Sequence, residues 1–163
     1  MKTILCSVFI LLLAPCNSSK KATASAANTN SRAKTDNSEV VITLQTGACF
    51  GKCPVYLLTI TGKTKTATYK GQENTDRIGE YSKPITDTEL TQMVNAFEAA
   101  KFNSLNDEYL GQIVDFPIKT ITYTNKGKTK SIKERSSAPE ELLSLEKTLF
   151  AFADSDGWKK VDK

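Results

Sequence analysis

Val55-Tyr56-Leu57-Leu58-Thr59-Ile60 is almost wholly apolar, and Lys65-Thr66-Ala67-Thr68-Tyr69-Lys70 alternates polar with smaller or aromatic residues. Between them stands Thr61-Gly62-Lys63, a turn composition. Two runs of strand-forming residues so closely spaced read as a β-hairpin. A helical crossover would need a dozen residues or more, so these strands pair antiparallel. The nearly all-apolar first run marks a central strand covered on one face by helices.

The same logic extends outward. Upstream, Val40, Ile42 and Leu44 alternate with Val41, Thr43 and Gln45, the period of a strand. Downstream, residues 78–85 carry a weaker strand that Pro84 closes. Thr86-Asp87-Thr88-Glu89 has the pattern of a capping box. Leu90, Met93, Val94, Phe97 and Ala100 then recur at helical spacing, which predicts an amphipathic helix over residues 87–101. Strands at 118–124 and 129–134 flank Asn125-Lys126-Gly127-Lys128, a second hairpin. Ser137-Ala138-Pro139-Glu140 opens a second helix, with Leu142, Leu145, Leu149 and Phe152 on its apolar face and Asp156-Gly157 at its end. The expected order is β-β-β-β-α-β-β-α. Hairpin connections imply an α+β fold, with a mainly antiparallel sheet and two helices on one face. A half-open barrel wrapped around the first helix is the alternative.

The N-terminus reads differently. Lys2 precedes an apolar run over residues 4–14. That run is too short for a membrane span, which needs about 20 residues, so residues 1–15 read as an export signal. Leu13-Ala14-Pro15-Cys16 resembles a bacterial lipobox, with Cys16 as the lipid-modified first residue and Pro15 where a small residue is usual. Residues 17–38 contain no aromatic and no large aliphatic side chain. They read as a flexible tether with an r.m.s. span of about 26 Å. The expected organisation is a signal at 1–15, a lipid-anchored tether at 16–38 and one domain at 39–163. The protein is thereby expected to be exported and held at a membrane, in the periplasm or at the outer membrane.

The formal charge of the chain is +4. The tether carries Lys20, Lys21, Arg32 and Lys34 against Asp36, while residues 39–163 hold equal numbers of basic and acidic side chains. A basic balance located on a tether is no argument for nucleic-acid binding. Histidine is absent, which excludes Ser-His-Asp and Cys-His catalytic pairs. No G-x-S-x-G, P-loop or dinucleotide fingerprint occurs. The residues call for no cofactor and no metal.

The domain keeps two cysteines, Cys49 and Cys53, between the first two strands. Three intervening residues allow the roughly 4.4–6.8 Å Cα separation a disulfide needs, and export supplies an oxidising compartment. Gly47 and Gly51 permit a tight loop, and Pro54 fixes φ where the strand begins. The leading reading is a structural disulfide, contributing about 2 kcal/mol through the unfolded chain. Two readings compete. A redox pair usually has two intervening residues and opens a helix; here there are three, and a strand follows. A copper site would resemble the Cys-x3-Cys-Pro loop of thioredoxin-like copper carriers. Those use a distant histidine, and Met93, the soft ligand at hand, falls on a buried helix face.

The run Gly47-Ala48-Cys49-Phe50-Gly51-Lys52-Cys53-Pro54-Val55-Tyr56 resembles the G-x-C-F-G-x-C-P-x-Y signature of a bacterial domain family of unknown function. That family occurs mostly in short exported or lipoprotein-type proteins. The resemblance continues through Gly71, the helix end at 97–102 and Asp115-Phe116-Pro117, and covers about residues 39–158. It implies an α+β domain at the cell envelope and carries over no catalytic residue.

Other groups are weaker. Asp107, Glu108 and Asp115 can hold a cation, but their spacing is not that of an EF-hand, and a solvated loop is favoured. Asp115 suits an Asx-type turn before the next strand. Tyr56, Tyr69, Tyr81, Tyr123 and Trp158 either form a binding platform on an exposed sheet face or pack singly, and packing is favoured. Lys126, Lys128, Lys130, Lys133 and Arg135 read as a charged sheet edge that blocks aggregation.

The leading expectation is a non-enzymatic accessory domain that binds an unknown protein or small ligand through the sheet face or the Cys loop. Phe50, Tyr56 and Asp115 are the candidate binding residues. The alternative is an envelope thiol–disulfide oxidoreductase using Cys49 and Cys53. An enzyme using Asp115 or Asp107 ranks third.

Overall fold

The computed structural model describes residues 36–162. The expected signal segment, Cys16 and most of the expected tether lie outside the described residues. The chain runs β1 (Val41–Thr46), β2 (Val55–Thr61), β3 (Thr66–Glu73), β4 (Gly79–Pro84), α1 (Asp87–Ala99), a 3-10 turn (Phe102–Ser104), β5 (Glu108–Tyr109), β6 (Lys119–Asn125), β7 (Lys128–Glu134), α2 (Glu140–Asp154) and β8 (Lys159–Lys160). The strands form one sheet in the order β5-β7-β6-β1-β2-β3-β4-β8. Every neighbouring pair is antiparallel except β5 with β7. This is an α+β fold, as expected. The sheet is open, which replaces the half-barrel alternative.

Registration explains the single core. Ile42 pairs with Ile60 and with Tyr123, and Leu44 pairs with Leu58 and with Ile121. Ile60 faces Ala67, Leu58 faces Tyr69, and Ile121 faces Ile132. All of these are buried and share one core with Leu90, Met93, Val94 and Phe97 of α1 and Leu142, Leu145, Leu149 and Phe152 of α2. With a side-chain period of two, the intervening residues face the other way. There Ser131, Thr122, Thr43, Thr59, Thr68 and Ser82 stand in one register row across six strands. Threonine suits strand backbone and keeps the uncovered face wettable.

Thr86 caps α1 as its sequence implies. The Glu89 N–H donates to Thr86 Oγ1 at 3.1 Å, and the Thr86 N–H donates to Glu89 Oε2 at 2.8 Å. The helix stops two residues early because Lys101 turns left-handed, with φ 49°, and sends the chain into the 3-10 turn. At α2, Ser137 does not cap; its hydroxyl accepts the Gly111 N–H at 3.0 Å. Pro139 is the N-cap residue. Ring packing ties helix to sheet, as Phe97 stacks on Tyr123 at 4.4 Å.

Tyr56, Tyr69 and Tyr123 face the helices and are buried, so these rings pack as favoured and form no platform on the open face among the described residues. Other expectations are corrected. The basic run does not form a free edge. Strand β5 lies against β7, Lys130 pairs with Asp107, and Lys133 reaches Glu108 at 3.5 Å. Arg135 donates to the carbonyls of Leu110 and Gly111. Asp107 and Glu108 are therefore engaged by β7 lysines. Asn37, placed in the tether by its composition, is buried, and its side-chain amide donates to Thr91 Oγ1 at 3.3 Å.

Candidate functional site

Strand β1 ends at Thr46, and the Cys loop starts there. The Thr46 hydroxyl donates to the Pro54 carbonyl at 2.7 Å and accepts the Tyr56 N–H at 3.0 Å, so one buried side chain closes the base of the loop. The Cys49–Cys53 disulfide closes its tip with a Cα separation of 5.7 Å. The Gly47 N–H donates to the Ile118 carbonyl at 2.9 Å, joining the loop to the segment before β6. A Cβ on Gly47 would sit 3.1 Å from that carbonyl oxygen. Asn74 donates to the Cys53 carbonyl from the far side at 3.2 Å. Phe50 projects from this braced loop and is 87 % exposed. Met93, by contrast, is buried on α1, and each cysteine sulfur is bonded to the other.

Beside the loop opens a cleft of about 290 Å³. Thr46, Pro54 and Tyr56 line it from the first two strands, and Tyr69, Asn74, Thr75, Asp76 and Arg77 from β3 and the turn after it. Pro117 and Lys119 contribute from β6 and its approach, Phe150 and Asp154 from α2. Tyr56 and Tyr69 stack at 4.7 Å between ring centroids. Tyr69 Oη lies 2.6 Å from Thr75 Oγ1. Burial, then the nearby Tyr69 and the Asp154 charge, pushes the Tyr56 hydroxyl well above the ordinary tyrosine range, so it stays a neutral donor.

Arg77 in the wall, and Lys83 outside the lining, are spent on structure. Arg77 donates to the carbonyls of Ala153, Asp154 and Ser155, and its guanidinium lies 5.8 Å from the centre of the Tyr69 ring. It thus satisfies the orphan carbonyls at the end of α2 and opposes the helix dipole. Its aim depends on Gly71, where a Cβ would fall 1.8 Å from the Arg77 carbonyl oxygen. Lys83 supports the same helix end, donating to Ser155 Oγ at 2.7 Å and lying 4.3 Å from the centre of the Phe152 ring.

Lys119 in the cleft wall belongs to a charge cluster that runs into the core. Lys119 Nζ is 2.5 Å from Glu134 Oε2 and 2.5 Å from Glu146 Oε2. The Glu146 contact is an aligned hydrogen bond, while Glu134 Oε2 and Glu146 Oε1 lack aligned donors. Two carboxylates share one ammonium in the core. Burial, reinforced by the Glu134 charge and opposed by Lys119, leaves the Glu146 carboxyl pushed up to about 7. Burial alone would lower the Lys119 pKa; its close contacts with the two glutamates and their charges outweigh that and raise it.

Of the candidate residues, Tyr56 lines the cleft, and Phe50 is exposed on the Cys loop outside the cleft lining. Asp115 is exposed in the neighbouring loop, outside the cleft lining, and its carboxylate accepts no backbone N–H among the described residues. The expected Asx-type turn is therefore not formed. Sequence reasoning missed Thr46, Arg77, Lys119, Glu134, Glu146 and Asp154. One signal was present: Lys119 is in phase with Ile121 and Tyr123, and Glu134 with Ile132, so both charges fall on the core face.

The molecule is an open-sheet α+β domain with a disulfide-braced cleft at one end of the sheet. Its sequence matches the model of a family described as Domain of unknown function (DUF6438) over residues 40–153, and the chain belongs to that family. No curated protein matches the chain.

Proposed function

We propose that this chain is an exported, lipid-tethered accessory module that captures its ligand at the Cys-loop end without chemical turnover. The observation that carries this reading is the cleft itself, lined by the base of the disulfide-closed loop that carries the exposed Phe50. A disulfide persists in an oxidising compartment, which agrees with the export signal expected at residues 1–15 and the lipid site at Cys16. Placement agrees as well. Residues 36–40 lie at the opposite end of β1, where Asn37 meets Thr91 and the Gly62 N–H donates to the Val40 carbonyl. Strand β1 carries the chain about 20 Å from there to the Cys loop. The proposed tether thus enters the domain at the end of β1 opposite the Cys loop. Arg77 and Lys119 are engaged by carbonyls and carboxylates, an arrangement suited to holding a shape rather than moving protons. An oxidoreductase using Cys49 and Cys53 has less support. The pair feeds a strand and lacks the helix N-terminus that acidifies such thiols.

The test is photocrosslinking in living cells, with benzoylphenylalanine at position 50 of the full chain and, as control, at position 63 on the β2–β3 turn. The expected result is a discrete adduct from position 50 and none from position 63. No adduct at 50, or equal adducts from both positions, contradicts the reading.

A further inference from the structure

The Cys-loop end carries an apolar patch that the fold does not use. Besides Phe50, the loop before β6 exposes Ile113, Val114, Phe116 and Ile118, at 52 %, 61 %, 53 % and 41 %. The Gly47–Ile118 hydrogen bond puts the two loops side by side, and Pro54 and Pro117 carry both into the cleft wall. Clustered apolar side chains on a soluble face mark an interaction site. Charge then says what kind. Asp76 and Asp154 both line the cleft, and neither carboxylate has an ion-pair partner among the described residues. The nearby Arg77 points its donors at main-chain carbonyls of α2. Lys119 is matched by two glutamates, so that cluster adds no positive charge. The cleft thus offers free anionic groups beside an apolar rim.

We propose that the occupant is an extended polypeptide segment that pairs apolar side chains with lysine or arginine. Its apolar residues cover Phe50 and Phe116, and its cation sits between Asp76 and Asp154. This rests on the reading of the cleft as the ligand site and specifies the ligand class. Asp76 and Asp154 outnumber the one exposed cation of the Cys loop, Lys52, and this balance disfavours an anionic bilayer.

The test uses the full chain carrying Cys16→Ala, so that its own anchor does not bring it to membranes. The probes are a fluorescein-labelled hexapeptide alternating leucine with lysine and its leucine–glutamate counterpart, read by fluorescence polarisation. The expected result is saturable binding of the lysine peptide only. It should weaken at least about tenfold with Asp76→Asn/Asp154→Asn and with Phe50→Ser. These side chains are exposed, so the variants keep the fold. Equal binding of both peptides, binding of neither, or unaffected binding by the variants overturns the proposal. So does co-sedimentation with phosphatidylglycerol–phosphatidylethanolamine vesicles through Phe50. Adducts at position 50 in cells together with no lysine-peptide binding would overturn the ligand class and leave the binding end standing.

Discussion

Thr46 and the Cys49–Cys53 pair hold one loop by two kinds of chemistry, a hydroxyl bridging two main-chain groups and a covalent bond. Opening the bond with Cys53→Ser should cost about 2 kcal/mol in urea unfolding. Unchanged stability would show the bridge to be structurally idle. Glu146 makes a residue-scale prediction of a different kind. Its folded pKa of about 7 stands above its ordinary value of 4.5, mainly through burial. The folded protein therefore holds a proton there that the unfolded chain releases, and this contribution is fully present below pH 4.5 and fades as pH rises through 7. Wild-type stability should fall across that window, relative to Glu146→Gln, by on the order of 1–3 kcal/mol. Parallel pH profiles for the two proteins would contradict the burial-raised Glu146 carboxyl. Cys49 and Cys53 were legible because their spacing, with the export expected from residues 1–15, limits what thiols do. Glu146 was less so, since a glutamate between Leu145 and Leu149 looks like a helix surface until its neighbours are placed.

Among elements, the long strands and both helices announce themselves by period, and their ends shift by one to three residues where a turn intervenes. Strands β5 and β8 have two residues each and no period to read. Side chains far away in sequence hold β5 in place, as when Lys130 donates to the Leu105 carbonyl at 2.8 Å. The turn between β3 and β4 is the element on which the cleft most depends. Gly71 admits the Arg77 carbonyl, and Arg77 then secures α2. Gly71→Ala has no room for its methyl group and should lower the melting temperature by several degrees, with Arg77→Ala producing a smaller loss of about 1–2 kcal/mol. Thermal unfolding followed by circular dichroism checks both. A Gly71→Ala protein that melts like wild type would mean that the turn relaxes freely.

For the whole molecule, a period-two pattern was enough to forecast one sheet with one covered face, because every core strand obeys it. The cleft was not forecast. Its wall draws on Thr46, Tyr56, Tyr69, Arg77, Lys119 and Asp154, which only the strand order and the seating of α2 bring together. The proposed tether has its own consequence at this scale. Full-length protein should fractionate with membranes and incorporate a labelled fatty acid, while Cys16→Ala should do neither. Soluble, unlabelled wild-type protein would remove the anchor and leave the domain as it is. The account turns on an exported domain whose binding end is clasped by sulfur, and alkylation mass spectrometry of protein taken directly from the cells that make it tests that claim most directly. Cys49 and Cys53 should resist alkylation until a reductant is added and should then each take one label. Immediate labelling of both, without reductant, would contradict the clasp and the compartment together.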